Sequence, residues 1–234
     1  MEAVVNSPLL VALDLRSAEE AVRLARLLAG KVAGFKVGLG LLHGPGPGLV
    51  GALARLGPVM ADAKLHDIPS QVQAAARRLG EYGARWVTAH ASGGVEMLQA
   101  AAAGLAVGAS GRETGVLAVT VLTSIDEAAS SALFGRTPGE LTARLARLAA
   151  EAGVEGVVCS PKELGVVAEV APGLLRVTPG IRPAGAAAHD QRRTATPAEA
   201  MARGANLLVV GRPITAAADP VAAVARLHEE LGVL

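Results

Sequence analysis

Short apolar runs bounded by turn residues alternate along this chain with longer segments whose apolar positions repeat at helical spacing. Eight such runs are found: Leu9–Leu13, Gly34–Gly38, Val59–Lys64, Trp86–Ala91, Val116–Leu122, Gly156–Ser160, Leu174–Thr178 and Leu207–Gly211. Near-continuous apolar strands of this length, each followed by a helix, are the pattern of parallel strands buried on both faces. Eight repeats predict an α/β fold, a closed (β/α)8 barrel of the TIM type. An open doubly wound sheet stays as the alternative, because counting strands does not distinguish closure from an edge.

Helix starts are well marked. Ser17 with Glu20, and Thr137 with Glu140, have the spacing of a reciprocal capping box. Pro138, Pro197 and Pro220 stand where a first helical turn tolerates proline. Leu141, Leu145 and Leu148 then repeat on one face, and Gly153 follows the helix end. No linker or low-complexity segment divides the chain, so residues 1–234 are read as one domain, a usual size for such a barrel. Two loops stand out, Gly44–Gly48 and the longer Gly180–Ala195, which follows the seventh strand. In barrels of this kind, that is a frequent place for a phosphate.

Composition narrows the partners. With 22 basic and 21 acidic residues the formal net charge is +1, and there is no polybasic block or acidic tail. Aromatic residues make up only 2%, too few to stack single-stranded nucleic acid. Neither nucleic acid nor a membrane is expected as a partner. The single cysteine, Cys159, excludes an intrachain disulfide and reads as a small buried strand residue. Met1–Pro8 has no positive segment ahead of the apolar run, and the uncharged stretch Val37–Ala54 is broken by glycine and proline. A soluble cytoplasmic protein is expected.

The candidate chemistry lies at strand ends. Lysine is scarce, four residues against eighteen arginines, yet Lys36 and Lys64 fall inside apolar strand runs. Asp14, Asp62 and Asp67 lie at or just beyond the C-terminal ends of the first and third strands, the end of a barrel that carries the active site. Asp62 and Lys64 are two apart, so their side chains leave one strand face together, and Lys36 on the neighbouring strand reaches the same volume. At ~4 Å and an effective dielectric of ~20, each such contact is worth on the order of 4 kcal/mol before desolvation. A structural ion pair plugging the barrel, with Asp67 as a helix N-cap before Pro69, is the bland alternative.

Other residues carry weaker signals. His66 and His90 follow strand ends without a third ligand at metal-site spacing, so packing is favoured over zinc. His43, His189 and His228 read as loop or surface residues, and Ser92, Gly93 and Gly94 as a turn before a helix. On spacing alone Thr123 is an ordinary strand threonine and Gln191 an ordinary loop residue, while Arg182 and Arg212 are open between a phosphate contact and a solvated surface.

Taken together, VALD at 11–14, DAKLHDIP at 62–69, HASGG at 90–94, VTVLTS at 119–124, GVVCS at 156–160, VTPGIRP at 177–183, DQ at 190–191 and GRPIT at 211–215 form an ordered set. In order and spacing the set resembles bacterial orotidine 5'-phosphate decarboxylases over nearly the whole chain, about Pro8 to Pro220. The resemblance implies decarboxylation of orotidine 5'-phosphate to uridine 5'-phosphate without cofactor or metal, by a homodimer. It also implies roles. Asp14 and Lys36 bind the ribose hydroxyls, Asp62 lies beside the substrate carboxylate, Lys64 donates the proton to C6, and Asp67 reaches into the partner's site. Ile68 joins the substrate-binding residues, Thr123 reads the pyrimidine amide edge, and Arg182 and Gln191 belong to a phosphate-closing loop. The Gly211 backbone N–H and the Arg212 side chain complete the phosphate site. One departure is plain: the family commonly has Asn-Thr after Ile-Pro, where this chain has Ser70 and Gln71, leaving the Gln71 amide to assist the contact between subunits.

Two other readings are weighed. Related barrels, 3-keto-gulonate 6-phosphate decarboxylases and hexulose 6-phosphate synthases, share the Asp-x-Lys-x-x-Asp strand but use Mg2+ and generally carry glutamate where Lys36 stands. A catalytically silent phosphate-ligand binder is the third.

Overall fold

In a computed structural model, which describes residues 7–183 and 194–233, the eight runs close into a barrel of parallel strands in sequential order. They are β1 (Leu9–Ala12), β2 (Gly34–Val37), β3 (Val59–Leu65), β4 (Trp86–His90), β5 (Gly115–Val119), β6 (Gly156–Val158), β7 (Leu175–Thr178) and β8 (Leu207–Val210). Closure is made by β1 pairing with β8, with Leu10 opposite Val209, so the open-sheet alternative is excluded. The helices are α1 (Ala18–Leu28), α2 (Leu39–His43), α3 (Gly48–Ala54), α4 (Pro69–Glu81), α5 (Gly94–Ala109), α6 (Glu127–Phe134), α7 (Pro138–Glu151), α8 (Leu164–Val170), α9 (Pro197–Ala202), α10 (Arg212–Thr215) and α11 (Pro220–Leu231). No helix among the described residues is long and apolar enough to cross a membrane.

Alternation along the strands divides the apolar residues in two. Leu9, Val11, Phe35, Val59, Ala61, Val87, Val116, Ala118, Val157, Leu208 and Val210 point outward and pack under the helices. Leu10, Ala12, Met60, Trp86, Leu117, Val177 and Val209 point inward and fill the barrel. At the lower rim Arg85 makes a bidentate pair with Glu155 at 2.7 and 2.8 Å and lies over the Trp86 ring, whose Nε1 donates to the same carboxylate. This apolar filling with an ionic clasp beneath it leaves the upper mouth as the place where inward-facing charge can meet water.

Helix ends follow local sequence. Thr137 with Glu140 forms the complete capping box expected, and Thr196 with Glu199 forms another that the sequence reading passed over. The box expected at Ser17 is only half made. Ser17 caps the Glu20 N–H, but the Glu20 carboxylate accepts from Arg16 N–H instead of the cap residue. The Gly44–Gly48 stretch joins two short helices, α2 and α3. Helices α4 and α5 pack so closely that a Cβ at Gly104 would lie 2.1 Å from the Gln73 carbonyl and one at Gly108 would lie 2.0 Å from that of Arg77. Glycine at these two positions is what lets the helices over β4 meet backbone to backbone.

The fifth strand stops at Val119, not Leu122, so Thr123 stands in the loop before α6. Cys159 is buried, as expected, but lies just beyond β6 and not within the strand.

Candidate active site

The inward positions of β1, β2 and β3 carry charge only at their upper ends, where the apolar filling stops. Lys36 pairs in register with Ala12 of β1 and is 8% exposed, as is Asp62. The Lys36 Nζ lies 3.0 Å from Asp14 Oδ1 and 3.5 Å from Asp62 Oδ2, and the Lys64 Nζ lies 2.8 Å from Asp62 Oδ1. Asp14, Lys36, Asp62 and Lys64 therefore form one chain of alternating charge across three strands. Its inner members are nearly closed from solvent and its ends are open, the Lys64 side chain 29% exposed and that of Asp14 62%. The sequence expectation that Lys36 and Lys64 share the carboxylate at position 62 is met.

Lys64 does not sit on a regular strand. The ladder of β3 with β4 pairs Ala61 with Val87 and next Leu65 with Ala89, so β3 advances four residues while β4 advances two. In this bulge Lys64 takes φ +47°, the left-handed region that a side chain seldom adopts. Its N–H, which cannot join a regular ladder there, donates to Thr88 Oγ1 at 2.9 Å, and the same hydroxyl donates to Asp62 Oδ1 at 3.0 Å. Gly38, directly after β2, makes room for the outer pair, since a Cβ there would lie 2.5 Å from Asp14 Oδ1 and 3.2 Å from Lys36 Nζ. Neither Thr88 nor Gly38 was singled out from the sequence. Thr88 shares inward parity with Trp86 and His90, a usable signal, and Gly38 had only its place after the strand.

Burial alone would raise the Asp62 carboxyl pKa; the charges of Lys36 and Lys64 and the hydrogen bonds from Lys64 and Thr88 outweigh it and hold the pKa below the ordinary carboxylate value. Burial lowers the His90 pKa, and the neighbouring His66 and Lys64 charges lower it further against the pull of Asp62. The His66 and His90 rings are 5.3 Å apart and tilted, and no cluster of three metal-ligating side chains occurs among the described residues. Ala91–Gly93 forms a 3-10 turn leading into α5. His43 is exposed at the end of α2, but His228, read as a surface residue, is half-buried on α11 and bonds Ser7 Oγ at 2.8 Å. His189 lies outside the described residues.

The remaining candidates are spread around the same rim. Asp67 is exposed, and its Oδ1 accepts from the Ile68 N–H at 2.6 Å. Ile68, not Asp67, is the cap residue of α4, so Asp67 is not the N-cap that the bland reading proposed. Ile68 itself is 63% exposed, and Gln71 is exposed in the first turn of α4. Arg182 follows β7, its N–H bonded to the Ala195 carbonyl and its guanidinium to that of Ile181. Gly211 precedes α10, and Arg212 opens that short helix, exposed, immediately after β8. Gln191 lies outside the described residues.

Known proteins with this arrangement are found by sequence and by structure. The sequence model of the Orotidine 5'-phosphate decarboxylase / HUMPS family matches residues 7–227. An orotidine 5'-phosphate decarboxylase of Anaeromyxobacter sp. (strain K) is 52% identical, over 91% of this chain and 92% of the relative. That of Thermobifida fusca is 48% identical over 96% of each. A crystal structure of orotidine 5'-phosphate decarboxylase from Lactobacillus acidophilus superposes with a TM-score of 0.83 at 34% identity, covering 97% of this chain and all of that one. The chain belongs to the Orotidine 5'-phosphate decarboxylase / HUMPS family.

Proposed function

We propose that the protein decarboxylates orotidine 5'-phosphate to uridine 5'-phosphate, a step of pyrimidine biosynthesis, as a cytoplasmic homodimer that needs no metal or organic cofactor. The observation that carries the reading is the charge chain Asp14–Lys36–Asp62–Lys64, with the Lys64 ammonium held at one of its two open ends. Breaking the bond between C6 and the carboxylate leaves an electron pair on a ring carbon that no carbonyl delocalises. A fixed cation beside C6 stabilises that pair as it forms, at no cost of reorganisation during the reaction. Lys64 then transfers an ammonium proton to C6 as general acid and recovers one from solvent. Asp62 fixes the Lys64 side chain and faces the departing carboxylate.

The other roles follow the rim. Asp14 and Lys36 bind the ribose hydroxyls, Thr123 takes the pyrimidine amide edge, and Ile68 covers the substrate. The Gly211 N–H and Arg212 hold the phosphate, with Arg182 and Gln191 closing over it. The phosphate is remote from the bond that breaks, so its binding energy is available to organise the charges. Asp67 is exposed and outside the charge chain of its own subunit, which supports a role for it, assisted by Gln71, in the partner's site.

Lys36 also speaks against the Mg2+-dependent reading. Its ammonium lies between the Asp14 and Asp62 carboxylates, at 3.0 and 3.5 Å, and a fixed positive charge there disfavours a bound dication. The test is the ultraviolet assay for loss of orotidine 5'-phosphate after exhaustive EDTA treatment. Full turnover is expected; strict dependence on added Mg2+ would overturn the reading, and nucleotide binding without turnover would favour the silent binder.

A further inference from the structure

We infer that Thr88 is a positioning residue for the reaction, acting through Lys64 and Asp62 together; this rests on the proposed role of Lys64. The Thr88 side chain is fully buried, on the inward face of β4, and its hydroxyl is used twice. It accepts from the Lys64 backbone N–H at 2.9 Å and donates to Asp62 Oδ1 at 3.0 Å. Asp62 Oδ1 is also the atom that receives the Lys64 ammonium, at 2.8 Å. One hydroxyl thus fixes both ends of Lys64, its backbone directly and its Nζ through the carboxylate.

The backbone contact has a particular purpose. Lys64 stands at φ +47° where the β3–β4 ladder slips by two residues, so no strand carbonyl is in register to receive its N–H. A buried donor left without a partner is costly, and a lysine in the left-handed region has to be held there by its surroundings. The Thr88 hydroxyl supplies the acceptor that the bulge removes. The carboxylate contact sets which oxygen of Asp62 is turned toward Lys64 and which toward Lys36. Valine would keep the shape of Thr88 and lose both bonds; serine would keep both bonds.

The charged groups facing Asp62 are Lys36 and Lys64, with His90 next on β4. Since the Thr88 bond favours ionised Asp62, its loss shifts the acid limb of the kcat–pH profile upward. The experiment compares Thr88→Val, Thr88→Ser and Lys64→Ala in the orotidine 5'-phosphate assay as a function of pH. Thr88→Val is expected to lower kcat about 10- to 100-fold with KM changed less than about threefold, and Thr88→Ser to stay within about threefold of wild type in both. If Thr88→Val does not fold, Thr88→Ala replaces it, with serine against alanine carrying the same comparison. Unchanged kcat and an unshifted acid limb in the variant lacking the hydroxyl would overturn the inference, as would serine failing equally. Should Lys64→Ala retain turnover, the role given to Lys64 fails instead, which separates the two.

Discussion

The Asp62 carboxylate divides its oxygens between two lysines from different strands: Oδ1 receives Lys64 at 2.8 Å and Oδ2 faces Lys36 at 3.5 Å. Lys36 also holds Asp14, so that a single nearly buried ammonium ties β1, β2 and β3 together at the mouth. A buried charge cluster of this kind is costly to desolvate, and its members are stable only as a set. The geometry is therefore sensitive to the removal of any one charge.

Lys36→Met is expected to lower the unfolding free energy at neutral pH by about 1–3 kcal/mol, because Asp62 and Asp14 lose a shared partner. The pH dependence gives a sharper reading. The folded-state pKa of Asp62 is depressed, so its contribution is present above the ordinary carboxylate pKa of 3.8 and is lost as pH falls through the folded value. His90 and His228 are also depressed, chiefly by burial, so their contribution is present above 6.5 and diminishes as pH falls below it. Urea unfolding from about pH 3 to 8 is expected to show stability declining in two stages on acidification, with the lower stage moved upward in Lys36→Met. A stability independent of pH across that range would contradict the assignment.

Arg212 opens the short helix after β8, the strand that pairs with β1, and is proposed to bind a group that takes no part in bond breaking. Arg212→Ala is expected to raise KM about 10- to 100-fold, the loss of a charge-assisted hydrogen bond, with a smaller fall in kcat. Steady-state kinetics on orotidine 5'-phosphate check this. Equal losses in kcat with an unchanged KM would remove Arg212 from the phosphate site.

Asp67 bonds only the neighbouring backbone N–H of Ile68 among the contacts described within its own subunit. In a twofold dimer whose sites combine Lys64 of one subunit with Asp67 of the other, Lys64→Ala and Asp67→Ala homodimers complement each other on subunit exchange. One intact site per mixed dimer gives about a quarter of wild-type activity in an equal mixture. Activity that stays absent after exchange is demonstrated by mass would place Asp67 outside a shared site.

Much of the site was legible because strands have a period of two: the spacing of Asp62 and Lys64 put both on one face, and the scarcity of lysine made Lys36 conspicuous. Spacing could not reveal the bulge that places Lys64 at φ +47°, which arises from the pairing of β3 with a particular register of β4. Thr88 was missed for the same reason, since threonine in an apolar run reads as an ordinary strand former. Val121 and Leu122 continue the apolar pattern and so predict a strand threonine at Thr123, whereas β5 stops pairing at Val119. At Ser17 the motif predicted a two-way cap, but the nearby Arg16 N–H competes for the Glu20 carboxylate. Barrel closure, left open by strand counting, became visible only in the pairing of β1 with β8.

The central claim is that the Lys64 ammonium, held by Asp62, stabilises and then protonates the carbanion at C6. It is tested most directly by the turnover of Lys64→Ala on orotidine 5'-phosphate, measured beside its affinity for uridine 5'-phosphate. The account predicts nucleotide binding within about tenfold of wild type and kcat reduced by more than about 10⁴-fold. A variant that binds the nucleotide and still turns over within tenfold of wild type would contradict it.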